Sequence, residues 1–160
     1  MKSIVTQRVG LKDKLYVAFQ FILLGIYFVN ICPLHYDLPG SVKYMGLTLA
    51  ILGTAEVFAA IYQLRKHLTP YPTPTRGAAL IVQGIYKYVR HPIYGGIITF
   101  TGGYSLFSQS VGRLMLVIVL VILFYFKSVY EEHLLRKQFQ DYEAYKRKTF
   151  RFFPFIVISV

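Results

Sequence analysis

Four long apolar runs constrain the fold of this chain more than any other feature of its sequence. They contain 20, 21, 18 and 17 residues with at most one charge each, at positions 15–34, 44–64, 93–110 and 114–130. A bilayer core of about 30 Å needs roughly 20 helical residues, so each run spans or nearly spans it. Lipid admits only helices and closed barrels, and four runs cannot close a barrel. We therefore predict an all-α integral membrane bundle of four transmembrane helices, with residues 1–160 forming a single domain.

The basic residues predict how this bundle is oriented. With the N-terminus inside, 16 of the 18 Lys and Arg residues fall on the inner side, and only Lys43 and Arg113 fall outside. Such an excess of positive charge is typical of cytoplasmic loops. We predict a multi-pass protein in contact with membrane lipids, with both termini cytoplasmic. Long uncharged runs are not typical of nucleic-acid binders, so the net charge of +11 does not indicate that class.

The segments outside the runs differ in character. The connection 65–92 contains Thr-Pro-Tyr-Pro-Thr-Pro at 69–74, which excludes a regular helix there. Beyond the fourth run, 131–148 is charged but carries apolar and aromatic residues at helical spacing. This pattern predicts that the fourth helix leaves the membrane and continues as a cytoplasmic amphipathic helix. An apolar, interfacial tail follows at 152–160.

Polar residues that can do chemistry concentrate just before the third run. Arg90 and His91 precede Pro92, a residue suited to the first turn of a helix. Both residues should then lie at a helix N-terminus, where exposed N–H groups favour an anionic group such as a carboxylate. A basic margin that binds anionic lipid headgroups is the alternative.

A pair of acids at the end of the fourth run breaks the basic pattern of the cytoplasmic side. Glu131 and Glu132 can bind a cationic ligand beside the Arg-His corner. Alternatively, each can pair along a solvated helix, with Lys127 and Arg136 at four-residue spacing. Glu56, in the middle of the second run, is another candidate, because an intramembrane carboxylate is costly and is either functional or hydrogen-bonded within the bundle.

Other common sites are not indicated. Cys32 is the single cysteine, so no disulfide can form within the chain. No pair of histidines has metal-ligand spacing, and neither a P-loop nor a dinucleotide-binding glycine motif occurs. We expect no metal.

The motifs follow one another in an order found in one superfamily of membrane enzymes. After Thr-Pro-x-Pro come Leu80, Gly84, Tyr86, Arg90-His91-Pro92, Tyr94, Glu131-Glu132, Leu135, Phe139, Tyr142 and Tyr145-Lys146. This order resembles the isoprenylcysteine carboxyl methyltransferase and phospholipid methyltransferase superfamily over about residues 46–155. The resemblance implies an integral membrane methyltransferase that uses S-adenosylmethionine, with S-adenosylhomocysteine as product. It implies a lipophilic small-molecule substrate, a carboxylate, amine or thiol, at the cytoplasmic face.

The resemblance also implies roles for individual residues, within a cofactor region at about 70–94 and 127–150. The expected cofactor contacts are Ala78, Ala79, Leu80, Ile81, Tyr86, His91, Pro92, Ile93, Tyr94 and Glu131. The expected catalytic residues are Arg90, Glu132 and Lys127. Lys127 stands where the family often has an arginine near the substrate, and lysine lacks the bidentate fork for a carboxylate.

The chemistry of the cofactor agrees with these roles. A carboxylate such as Glu131 suits the ammonium or sulfonium of S-adenosylmethionine, and aromatic rings suit its adenine or sulfonium. A carboxylate acceptor would need no general base, whereas Glu132 or His91 could deprotonate an amine or a hydroxyl. Two alternatives are an NADPH-dependent membrane reductase similar to sterol reductases, which are longer, and a non-catalytic membrane scaffold.

Overall fold

A computed structural model describes residues 9–29, 35–65, 68–74 and 79–154. It contains five α-helices: α1 (Leu11–Val29), α2 (Gly40–Leu64), α3 (Pro92–Phe107), α4 (Val111–Gln138) and α5 (Tyr142–Arg147). A short 3-10 turn lies at Gly84–Lys87. Within the described ranges the only strand-like pairings are two isolated bridges. The predicted all-α class is confirmed.

Helix length limits which parts of the chain can cross a membrane. Among the described helices, α2 with 25 residues and α4 with 28 are long and apolar enough to do so. Helix α3 has 16 residues, about 24 Å at 1.5 Å per residue, against a bilayer core of about 30 Å. Helix α1 ends at Val29, and residues 30–34 of the first predicted run lie outside the described ranges. Two candidate spans are thus established, and the four-span bundle is a proposal.

Helices α2 and α3 pack backbone against backbone through glycines spaced seven residues apart on each helix. A Cβ on Gly53 would lie 2.4 Å from the Phe100 nitrogen, and one on Gly103 would lie 2.5 Å from the Gly46 carbonyl oxygen. Gly96 of α3 completes the set, since its Cβ would lie 2.8 Å from the Gly53 oxygen. Small residues permit this close approach in membranes, where lipid provides no hydrophobic force between helices. The two helices therefore form a rigid pair.

The core lies between α1, α4 and the end of the chain. Leu23 of α1 packs with Leu120, Leu123 and Phe124 of α4, and Phe152 joins them. The sequence predicts an interfacial tail from residue 152. Phe152 instead is buried in this core, because the chain after α5 turns back toward the start of α3.

The end of α4 also differs from its prediction as one continuous amphipathic helix. Phe139 adopts an extended conformation (φ −117°, ψ 118°) and separates α4 from the six-residue α5. Across this break, Arg136 Nε lies 2.7 Å from Glu143 Oε1. The break turns the chain so that the residues after α5 reach the Arg-His-Pro motif, and this long-range contact accounts for the interruption.

Candidate active site

The Arg-His-Pro motif is held in place by the chain that follows α5. The backbone N–H groups of Arg90 and His91 donate to the carbonyl oxygens of Phe150 (2.8 Å) and Arg151 (3.0 Å). His91 occupies the N-cap of α3, and Pro92 is the first residue of that helix, as the sequence predicts. The motif is therefore a fixed strand-like element that leads into α3.

The Arg90 side chain connects three parts of the fold. Its Nε donates to Glu132 Oε1 on α4 at 3.0 Å. One terminal nitrogen donates to the carbonyl oxygens of Lys146, at 3.0 Å, and of Thr149. These carbonyls lie at the end of α5 and just beyond it. Arg90 thus joins the motif to the end of α4 and to the chain at the end of α5.

Glu132 is the centre of a buried basic cluster. It is 2% exposed. Besides Arg90, its oxygens lie 3.4 Å from Arg151 Nε, 3.4 Å from Lys146 Nζ and 3.4 Å from His91 Nε2. A pair with Arg136 on a solvated helix, the alternative considered from the sequence, does not fit a buried carboxylate. Its surroundings indicate that Glu132 is the shared counter-charge of the cluster and holds it together.

Glu131, the neighbouring acid, has a different environment. Its side chain is 25% exposed. Its Oε2 accepts a hydrogen bond of 2.8 Å from the Tyr94 hydroxyl and lies 3.8 Å from His91 Nδ1. Adjacent residues on a helix point about 100° apart, which explains why one acid enters the basic cluster and the other reaches the cavities.

A column of stacked rings supports this region. His91 stacks on Tyr94 with ring centroids 5.4 Å apart, and Tyr94 stacks on Phe124 at 4.8 Å. The Lys127 ammonium lies 5.1 Å from the centre of the Tyr94 ring. Such contacts favour a cation beside the electron-rich ring face. Tyr94 therefore links the acid Glu131 to the base Lys127.

Two neighbouring cavities lie beside this column and meet at Glu131. The smaller, about 110 Å³, is lined by Ala79, Leu80, Ile81, Tyr86, Glu131, Phe139, Tyr142 and Tyr145, among others. The larger, about 340 Å³, is lined by Gln20, Ile61, His91, Pro92, Ile93, Tyr94, Lys127 and Glu131, among others. The larger volume lies within the roughly 300–1,000 Å³ of small-molecule pockets. The residues that both cavities share are Leu64, Thr69, Tyr86, Arg90 and Glu131.

The expected cofactor contacts divide between the two cavities. Ala79, Leu80 and Ile81 line the smaller, the motif residues 91–94 line the larger, and Tyr86 and Glu131 line both. Ala78 lies outside the described residues. Glu132 is not part of either lining, and neither is Glu56, which lies beside Gly95. A single ligand that contacts all the expected residues must therefore extend across Glu131.

Lys127 is buried at the wall of the larger cavity. It is 1% exposed, and its ammonium donates to Gln20 Oε1 at 2.5 Å and to the Pro70 carbonyl at 3.1 Å. An ammonium has three donors, and two of them are used here. Its surroundings differ from the helix pair with Glu131 that the sequence allowed, because its partners come from α1 and from the proline-containing connection.

Buried tyrosines complete the smaller cavity. The Tyr145 hydroxyl donates to the Tyr86 carbonyl at 2.7 Å, and burial raises the pKa of Tyr145 to about 12. Burial likewise raises the pKa of Tyr86 and of Tyr142 above the usual range. All three phenols remain neutral donors at physiological pH.

Several residues at the site were not expected from the sequence. They are Asp13, Gln20, Thr149 and Arg151. Gln20 could have been predicted from the sequence, since a polar amide inside a long apolar run needs a hydrogen-bond partner. Arg151 could not have been, because many basic residues surround it in the sequence. Among the described residues no group of three His, Cys, Asp or Glu side chains could hold a metal.

Comparison with known proteins bears on this arrangement. A family profile described as phospholipid methyltransferase matches residues 42–142, more than half of the chain. The chain belongs to the phospholipid methyltransferase family. The matched region contains both cavities' shared residues and all of α2 and α3 except the first two residues of α2, whereas α1 precedes it.

Two curated proteins are also similar to this member of the phospholipid methyltransferase family. Each is a probable protein-S-isoprenylcysteine O-methyltransferase, one from Oryza sativa subsp. indica and one from Oryza sativa subsp. japonica. Each is 29% identical over 122 residues, which cover 72% of this chain. The alignment spans 62% of the length of each relative. The resemblance to this superfamily seen in the sequence motifs is thereby confirmed.

Proposed function

We propose that this protein transfers a methyl group from S-adenosylmethionine to a lipophilic small molecule at the cytoplasmic face of a membrane. One observation carries the proposal: two cavities meet at the partly exposed carboxylate of Glu131. A methyl donor and an acceptor need adjoining sites of this kind, because in-line transfer depends on alignment. Family membership supports the reaction type.

The smaller cavity fits the nucleoside part of the donor. Its aromatic residues, Tyr86, Phe139 and Tyr142, can pack on a purine. Glu131, at the junction, complements the positive charge of an ammonium or a sulfonium. The N-terminus of α3 offers N–H groups suited to a carboxylate. The residues present therefore fit S-adenosylmethionine.

When bound, S-adenosylmethionine supplies a methyl group already activated by a positively charged sulfur. The protein then has to hold both partners, exclude water and keep their charges apart. Tyr94 orients Glu131 through its 2.8 Å hydrogen bond. The basic cluster around Glu132 fixes the Arg-His-Pro motif at the junction. We accordingly assign Arg90 and Glu132 to positioning, in place of the direct catalytic roles expected from the sequence.

The larger cavity suits the acceptor. Its walls are mainly apolar, with Phe21, Ile61 and Leu68 among them. Of its two buried cations, Arg90 is paired with Glu132, which leaves Lys127 for the acceptor. A buried ammonium attracts a carboxylate and repels a protonated amine. Among the three acceptor groups considered, the structure therefore favours a lipophilic carboxylate. A carboxylate acceptor needs no general base, and Glu132, one candidate base, lines neither cavity.

A four-span arrangement with cytoplasmic termini fits these features. The glycines of α3 contact the backbone of α2 along both helices, which supports a position of α3 beside α2 in the bilayer. The first helix, α1, packs on α4 through Leu23. The basic cluster and both cavities then lie on the side where 16 of 18 basic residues fall.

The test uses the purified full chain in lipid nanodiscs. Calorimetric titration with S-adenosylmethionine, S-adenosylhomocysteine and NADPH separates a methyltransferase from a reductase. Radiolabelled methyl transfer to membrane lipid extract then identifies the product. We expect both sulfur compounds to bind, and a labelled lipophilic ester to form. Binding of NADPH alone would favour the reductase, and binding of none of the three would favour a scaffold.

A further inference from the structure

We propose that Asp13 is a positioning residue that holds residues 68–74, here termed the proline segment, as a wall shared by the two cavities. The inference rests on the proposed function, because the wall matters only if the cavities take a donor and an acceptor. Asp13 lies on α1, before the region that the family profile matches.

The contacts of Asp13 go beyond those of a helix cap. The residue is fully buried. Its Oδ2 accepts from the Gly10 N–H at 2.6 Å, which is a local contact at the start of α1. Its Oδ1 accepts from both the N–H (3.1 Å) and the hydroxyl (2.9 Å) of Thr73, 60 positions along the chain. A helix cap needs only one carboxylate oxygen, and the second oxygen of Asp13 accepts hydrogen bonds from the proline segment.

Burial of this carboxylate needs an explanation. Among the described residues no cation lies within ion-pair distance of it; its partners are neutral donors. A buried carboxylate is costly unless hydrogen bonds or charges satisfy it. Three bonds do so here, and two of them exist only while the proline segment stays in place. Anchoring the segment is thus the role that its contacts support.

The proline segment depends on such anchors. Its prolines lack N–H groups, and it forms no helix or strand. One internal bond connects the Tyr71 N–H to Thr69 Oγ1 at 3.2 Å. The anchors outside the segment are the Leu68 N–H on the Arg65 carbonyl after α2, Thr73 on Asp13, and the Pro70 carbonyl on Lys127. With so few bonds of its own, the segment takes its position from α1, α4 and the end of α2, and α1 alone holds its far end.

Displacement of the proline segment would change both cavities. Thr69 lines both, Leu68 and Pro70 line the larger, and Tyr71 and Pro72 line the smaller. A second connection from α1 reaches the same segment. Gln20 lies seven residues, or two turns, after Asp13 on the same face of α1. It accepts a hydrogen bond from Lys127, which also donates to the Pro70 carbonyl. Helix α1 therefore shapes both cavities through the proline segment.

The substitutions that test this are chosen for their hydrogen-bonding groups. Asp13→Asn keeps the shape but replaces one acceptor oxygen by an NH₂ group, which then faces a donor. Thr73→Val keeps the shape and the backbone N–H but removes the hydroxyl. Thr73→Ser restores the hydroxyl. Asp37→Asn is the matched control, since Asp37 is an exposed acid in the connection between α1 and α2.

Two measurements on these variants in nanodiscs decide the matter. Hydrogen exchange of peptides covering 68–74 reports whether the segment is anchored, independently of any ligand. Calorimetry with S-adenosylhomocysteine reports whether the donor cavity keeps its shape. For Asp13→Asn and Thr73→Val we expect faster exchange and affinity about three- to tenfold weaker, the effect of one lost hydrogen bond. Thr73→Ser and Asp37→Asn should match the wild type in both.

The outcomes separate the two proposals. Unchanged exchange in both Asp13→Asn and Thr73→Val would overturn the positioning role, whatever the cofactor does. Faster exchange with unchanged affinity for S-adenosylhomocysteine would overturn it as well. The anchor would then be lost without any effect on the donor cavity. A wild-type protein that binds no S-adenosylhomocysteine would instead overturn the proposed function.

Discussion

Lys127 on α4 donates a hydrogen bond of 2.5 Å to the side-chain oxygen of Gln20 on α1, and both residues are buried at the wall of the larger cavity. The bond connects a helix outside the family-matched region to one that lies entirely within it. It holds a cation in place where the acceptor is expected to bind.

Replacement of the Lys127 cation should weaken binding of the acceptor more than binding of the donor. In Lys127→Met, we expect the KM for a carboxylate acceptor to rise about tenfold or more, as for loss of a charge-assisted hydrogen bond. The Kd for S-adenosylhomocysteine should rise less than this KM, since Lys127 does not line the smaller cavity, which is proposed to take the nucleoside. Steady-state kinetics and calorimetry measure the two. Lys137→Met, exposed on the same helix, is the control. An unchanged acceptor KM would contradict the role of Lys127.

Replacement of Glu131, the acid shared by the two cavities, should weaken binding of the donor. Glu131→Gln keeps an oxygen for the Tyr94 hydroxyl but removes the negative charge. We expect S-adenosylmethionine to bind about tenfold more weakly, for the loss of an interaction with a cation. Glu143 is an exposed acid on α5, and the Glu143→Gln control should bind S-adenosylmethionine as tightly as the wild type does.

The two sulfur compounds also distinguish which cation Glu131 faces. S-adenosylhomocysteine has the ammonium but a neutral sulfur. Equal weakening of both ligands in Glu131→Gln would place the ammonium beside Glu131. Weakening of S-adenosylmethionine alone would place the sulfonium there. Calorimetry that finds both ligands unaffected would remove Glu131 from the donor site.

The second acid should matter for stability. Glu132→Gln leaves Arg90, Lys146 and Arg151 without their shared counter-charge in a buried site. Loss of one partner of a buried ion pair costs about 3–5 kcal/mol. Thermal unfolding in nanodiscs should therefore show a much lower midpoint for Glu132→Gln than for Glu131→Gln. Equal midpoints for the two variants would be inconsistent with Glu132 as the centre of the basic cluster.

The contact between α2 and α3 provides a matched pair of substitutions. Gly103→Ala would place a methyl group 2.5 Å from the Gly46 carbonyl oxygen, whereas Gly102→Ala meets no atom within 4 Å. We expect Gly103→Ala to lose about 1–3 kcal/mol by overpacking, and Gly102→Ala to be neutral or to gain up to about 1 kcal/mol of helix propensity. Thermal unfolding is again the measurement. Comparable losses in both variants would show that helix separation is not set by these glycines.

Local sequence properties predicted some features correctly. The length and apolarity of the runs predicted helices, and Pro92 predicted the start of α3. The prolines of 69–74 predicted an irregular connection, since they cannot continue a helix. The break at Phe139 was missed, because its neighbours have helical spacing and contain neither Pro nor Gly. The chain turns there to reach contacts far away in sequence, and no local signal records them.

The site shows the same division. The sequence determined that acids, bases and aromatic rings gather at one end of a helical bundle, because charge and apolarity are properties of each residue. It could not tell Glu131 from Glu132, which are adjacent and identical. Tertiary packing brings Glu132 into the cluster of Arg90, Lys146 and Arg151, and it leaves Glu131 at the cavities. The rotation of α4 about its axis makes this choice, and that rotation is set by the packing of α4 against α1, α3 and the returning chain after α5.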